Sequence, residues 1–171
     1  MNATPASPEL RDRALALEIR AGRCGFAVFE ASELVDWGTH RYSAANSARV
    51  RSVIVSLLTL SRPAVVVTRH PRKSSHASSG RARFVWRTIV MAVQRRDVPV
   101  AVVRRKDAKR YFAARGCRSK NDVARWLITR FPPLAWRLPP KRKLWQREAH
   151  SVVIFDAAAT AVASGLLPIP A

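Results

Sequence analysis

Three apolar segments crowd the start of the chain with almost no residues between them. "ALALEI" (Ala14 to Ile19) is apolar enough for a buried strand, "CGFAVFE" (Cys24 to Glu30) for a second, and Glu33 to Tyr42 for a third. The links are the turn "RAGR" and the pair Ala31 and Ser32. A parallel pair needs a crossover of about a dozen residues or more, so these strands are expected to be antiparallel neighbours.

The pattern then changes. Val50, Val53, Ile54, Leu57 and Leu58 repeat at helical spacing, which predicts a helix over 46–60. "RPAVVVT" reads as a fully apolar strand of the parallel type. A loop follows in "RHPRKSSHASSGR", then a helix over 82–95 with Phe84, Val85, Ile89, Ala92 and Val93 inward. "VPVAVV" (98–103) reads as a fifth strand, and "KDAKRYFAARG" as a short helix closed by Gly116. Ser119 and Asp122 form a capping box for the next helix, whose inner face is Ala124, Leu127, Ile128 and Phe131. Pro132 and Pro133 end it. "RLPPKRK" reads as a stiff loop, and Trp145 to Ser164 as the longest helix, Ala-rich and stopped by Gly165. The order is β-β-β-α-β-α-β-α-α-α. It implies a mixed α/β sheet, three antiparallel strands and then two parallel ones, with helices on both faces. We expect a flexible segment over 1–13, one domain over 14–165 and a tail over 166–171.

Charge narrows the function. The chain carries 31 Lys and Arg against 11 Asp and Glu, a net +20. No fold needs that imbalance, which opposes compaction and favours a polyanion. Nucleic acid is the first candidate, because basic side chains release counterions from phosphates. No Lys-rich amphipathic helix with an aromatic face suggests a membrane surface, and no run of 18 apolar residues suggests a span. Cys24 and Cys117 form no C-x-x-C pair, so a reducing, cytoplasmic setting is expected.

The stretches "LALEIRAGRCGFAVFE", "LVDWG" and "PPKRKLWQREAHSVVIFDAAATAVA", in this order and spacing, resemble the RuvC-like Holliday-junction resolvases of the RNase H-like fold. The resemblance spans about residues 14 to 164. It implies a five-stranded RNase H-like sheet, divalent-metal nuclease ancestry and branched nucleic acid as ligand, with resolvases of this type acting as two-fold dimers. Two-metal cleavage needs three or four carboxylates around cations about 3.5–4 Å apart. The family places them on the first strand, at the end of the fourth and on the last helix.

Two of these places hold acids here. Glu18 stands on the first strand where Asp is usual, and Asp156 stands on the last helix among apolar neighbours. They are the candidate remnants of the catalytic set, and the metal ligands (for Mg or Mn) only if the chain is an active nuclease. Each also has a plainer reading, as a strand-end acid or a solvated helix acid. Val153 holds the place, three residues before Asp156, where resolvases often carry a second ligand. Glu148 and His150 precede Asp156 by eight and six residues, roughly 12 and 9 Å along a helix axis, so they reach the site's edge at most. The fourth strand breaks the pattern, for it ends in Arg69 and His70, and no Asp or Glu occurs from Thr39 to Arg96. A guanidinium only donates and repels cations. Arg69 is therefore expected to take the cation's place beside Glu18 and Asp156, with no cofactor required.

Binding can outlive catalysis, because it rests on many weak phosphate contacts. Three basic clusters are candidates: Arg72, Lys73, Arg81 and Arg83; Arg104, Arg105, Lys106, Lys109 and Arg110; and Arg137, Lys141, Arg142, Lys143 and Arg147 with Trp136 and Trp145 interleaved. Each alone reads more readily as a solvated loop, and each Trp as packing. Together they could line one groove, with Trp145 stacking on an unpaired base. The expected activity is binding of branched or structured DNA with cleavage impaired or lost. The alternatives are an active Mg-dependent junction endonuclease and a basic RNA-binding protein reusing the fold.

Overall fold

The computed structural model describes residues 13–20, 22–43, 47–71, 77–139 and 149–167. Strands β1 (Arg13–Arg20), β2 (Arg23–Glu30) and β3 (Glu33–Arg41) form an antiparallel meander. Helix α1 (Ser47–Ser61) leads to β4 (Val65–Arg69), and α2 (Ala77–Gln94) leads to β5 (Val100–Val103). Then come α3 (Arg105–Ala113), α4 (Lys120–Arg130), a 3-10 helix (Pro132–Arg137) and α5 (Val152–Ala163). The strand order is β3-β2-β1-β4-β5, with β4 parallel to both β1 and β5. This is the mixed RNase H-like sheet expected from the sequence.

Side-chain alternation along β1 splits the core. Leu15, Leu17 and Ile19 pack under α1 and α2. Ala14 and Ala16 point the other way, under α4 and α5, where the small residues let α5 lie close. Ten successive residues of α5, Val153 to Val162, are buried. A helix apolar on every side belongs in an interior. It comes very near the sheet at Gly25 of β2, where an added Cβ would lie 2.4 Å from the Val153 carbonyl oxygen. Only glycine fits that position.

Several boundaries differ from expectation. The helix α2 starts at Ala77, inside the expected loop, and its eighteen residues make it the longest helix among the described residues. Phe84 is 62% exposed, and the inward aromatic is Trp86. The indole explains the choice: its Nε1–H donates to Thr68 Oγ1 (3.1 Å), and Thr68 Oγ1 donates to the Leu17 carbonyl (3.0 Å). The described part of the last helix starts at Val152, after a turn at His150 and Ser151. Pro132 and Pro133 open the 3-10 helix, which buries Leu134. The capping box at Ser119 and Asp122 is present as expected. The segment before residue 13, the start of the expected last helix and the tail from 168 lie outside the described residues. Among the described residues no helix is long and apolar enough to cross a membrane.

Candidate nucleic-acid interface

Glu18 sits two residues before the end of a strand buried on both faces. By the same alternation as Ala14 and Ala16 it faces α5. The β1–β4 register pairs Ala14 with Val65 and Ala16 with Val67, so the next residue of that row on β4 is Arg69. Two strand ends thus bring an acid and a base together beneath Asp156 of α5. Side-chain exposure is 2% for Glu18, 11% for Arg69 and 13% for Asp156. Charges this buried must be compensated.

Arg69 compensates both acids. Its Nη2 lies 2.9 Å from Glu18 Oε1 and 3.8 Å from Asp156 Oδ1. Three further cations converge on the same pair. Arg20 Nη2 pairs with Asp156 Oδ2, while its Nε lies 3.6 Å from Glu18 Oε1. Arg105 Nη2 reaches Glu18 Oε1 at 4.0 Å, and Lys120 Nζ reaches Asp156 Oδ2 at 3.7 Å. Sequence reasoning missed Arg20 and Lys120 as members. Arg20 was legible: it is two residues beyond Glu18 on one strand, hence on the same face. Lys120 also left a trace, as a base at the first position of α4, where the helix dipole disfavours one.

The donor set does not fit a divalent cation. Magnesium needs oxygen ligands at about 2.0–2.1 Å in octahedral array. Any cation on Glu18 Oε1 would lie within a few ångströms of the Arg69 guanidinium. No group of three or more His, Cys, Asp or Glu side chains suited to a metal occurs among the described residues. Val153 is 1% exposed and packs over Gly25.

His70 is not in this cluster. One residue past Arg69 it faces the opposite side of the sheet, with its ring 4.2 Å from that of Trp86. His150 meets Arg41, whose Nη2 donates to its Nε2 (3.0 Å). The positive charges of Arg23 and Arg41, with desolvation, hold its ring below the ordinary imidazole pKa. Burial, aided by the Glu18 carboxylate, pushes the Cys24 thiol up to about 12.

The basic clusters divide between the faces. Arg105 joins the Glu18 cluster, while Arg104 pairs with Asp107 and Lys106 is exposed beside it. Lys109 and Arg110 are exposed along α3. Arg137 is exposed on the α5 side, its guanidinium 4.8 Å from the ring centroid of Trp136. Arg81 and Arg83 are exposed on α2, in the helix layer that covers the opposite face. The expected single groove therefore does not gather all three clusters on one face. Arg72, Lys73, Lys141, Arg142, Lys143, Trp145, Arg147 and Glu148 lie outside the described residues.

No family model matches the chain, and no curated protein sequence matches it. Solved structures do. RuvC of Thermus thermophilus in complex with a Holliday junction substrate superposes with a TM-score of 0.69 at 16% identity, covering 88% of this chain and 91% of that one. A second Thermus thermophilus RuvC structure gives 0.67 at 17% identity, covering 90% and 93%. Ydc2, the yeast mitochondrial Holliday junction resolvase, gives 0.66 at 13% identity, covering 91% and 78%. The chain has the fold of the RuvC-like Holliday-junction resolvases.

Proposed function

We propose that this protein binds branched or structured nucleic acid, DNA in the first place, on a RuvC-like scaffold whose metal-dependent cleavage has been lost. One observation carries the reading: the Arg69 guanidinium stands between Glu18 and Asp156, where cleavage would need a cation. Arg69 and Arg20 neutralise the two acids permanently, so the cluster holds its shape without an ion. Arg105 and Lys120 leave it with more positive than negative charge, which suits a phosphodiester and opposes a free cation. The net +20 supports the same partner class. Recognition rests on charge and shape, because phosphate contacts position a protein without reading sequence.

The test is a binding titration in a metal chelator with three competing probes: a synthetic four-way DNA junction, a linear duplex of equal length and a folded RNA. The junction is expected to bind most tightly. Its affinity is expected to fall steeply with salt, by about three orders of magnitude or more between 50 and 200 mM if six or more phosphates are neutralised. Absent or salt-insensitive binding overturns the reading, and preference for folded RNA replaces DNA with RNA as the partner.

A further inference from the structure

We infer that Arg23, Arg41 and His150 form a second phosphate-binding site, separate from the Glu18–Asp156 cluster and next to it. This deepens the proposed nucleic-acid binding and rests on it for the ligand, a backbone phosphate.

The inference starts from strand register. Arg20 on β1 is paired with Arg23 on β2, and Arg23 is paired with Arg41 on β3. Directly paired residues share a face, so three guanidiniums stand in a row on the α5 side of the sheet. Like charges placed opposite one another across strands destabilise a sheet. Arg20 is relieved by Glu18 and Asp156. Arg23 and Arg41 are not: among the described residues no carboxylate lies within 4.0 Å of either. Arg41 instead meets the His150 ring, which accepts a hydrogen bond but brings no negative charge.

That contact also sets the direction of the hydrogen bond. A guanidinium only donates, so the His150 ring is the acceptor, with Nε2 at 3.0 Å and Nδ1 at 3.5 Å from Arg41 Nη2. The positive charges of Arg23 and Arg41 oppose protonation of the ring, and an anion seated among them would reverse that effect. Hydrogen bonds tie the strand ends together. Tyr42 closes the ends of the three strands, its N–H donating to the Gly22 carbonyl (3.1 Å) and its hydroxyl to the Arg20 carbonyl. The helix α5 opens two residues after His150 and adds the positive end of its dipole. Two planar guanidiniums beside an exposed imidazole match a phosphate group, which they can hold by paired, charge-assisted hydrogen bonds.

The experiment follows the His150 ring by NMR through a pH titration of the full-length protein, with the signal assigned from His150→Gln. It is run alone, with a synthetic four-way DNA junction, and with inorganic phosphate. Binding and melting are measured alongside for Arg23→Ser and Arg41→Ser. The junction is expected to move the His150 titration upward. Each serine variant is expected to bind the junction roughly three- to tenfold more weakly, with a shallower salt dependence. Melting should be unchanged or improved, since like-charge repulsion has been removed. A structural role for the arginines would instead lower the melting temperature.

The two readings fail differently. Should wild type bind the junction while His150 stays unmoved and both variants bind equally well, the site is wrong and the proposed function stands. Where wild type does not bind the junction at all, the proposed function fails and the phosphate arm decides. An upward His150 shift with phosphate that is lost in Arg41→Ser supports an anion site. No shift overturns it.

Discussion

Arg69 Nη2 lies 2.9 Å from Glu18 Oε1: Arg69 ends β4, and Glu18 stands two residues from the end of the adjacent parallel strand β1, on the same face of the sheet. The pair is almost fully buried, so each charge depends on the other. Replacing Arg69 with Met leaves Glu18 less well compensated, and we expect a loss of about 3 kcal/mol in urea denaturation. Adding Glu18→Leu removes the orphaned charge and should return the protein to within about 1 kcal/mol of wild type. Additive losses in this double-mutant cycle would show that the two residues do not compensate one another.

Gly25 sets the height of α5 above the sheet, and with it the position of Asp156. A methyl group there meets the Val153 backbone, which cannot swing aside as a side chain can. Gly25→Ala is expected to cost about 1–3 kcal/mol or more. It should also weaken junction binding, because Asp156 is lifted away from Arg20 and Arg69. An unchanged melting temperature would contradict the close approach.

The two thiols should behave differently. Cys24 is buried with its pKa pushed up to about 12, whereas Cys117 is partly exposed. At pH 8 a thiol reagent is expected to label Cys117 in the native protein and Cys24 only after unfolding. The sign of the pH effect follows from linkage. Above the ordinary thiol pKa the native state keeps a proton that the unfolded state loses, so Cys24 reduces stability as pH rises past about 9. Burial raises Tyr42 in the same direction. Rapid native labelling of both cysteines would refute this packing.

Two neighbouring aromatics on α2 provide a contrast. Trp86→Phe removes the bond to Thr68 and should cost about 1 kcal/mol. Phe84→Ser changes an exposed ring and should stay within about 0.5 kcal/mol. The reverse order would mean that α2 presents its other face to the sheet.

Most of the fold was legible in the sequence because its signals are local. Short links force antiparallel pairing, and "RPAVVVT" carries the uniform apolarity of a central parallel strand. Glu18 and Arg69 could be placed from strand order and their positions within it. Phe84 was misplaced although the spacing was there to read: Trp86, Ile89 and Val93 recur at i, i+3 and i+7, and Phe84 lies roughly 200° around the helix from Trp86. The hydrogen bond from Trp86 to Thr68, which spans 18 residues, holds that face inward. Lys120 was missed for a related reason. It comes from the start of a helix far along the chain, and only the packing of α4 against α5 brings it to Asp156. His70 was grouped with Arg69 by adjacency, although alternation along a strand sends neighbours to opposite faces.

The most direct test of a binding protein without metal-dependent cleavage is one assay on one substrate. A labelled four-way DNA junction is incubated with the full-length protein in EDTA, in Mg²⁺ and in Mn²⁺, and both complex and product are measured. We predict a complex in all three conditions and no cut strand in any. Strand cleavage that needs Mg²⁺ or Mn²⁺ and disappears in Asp156→Asn would contradict it.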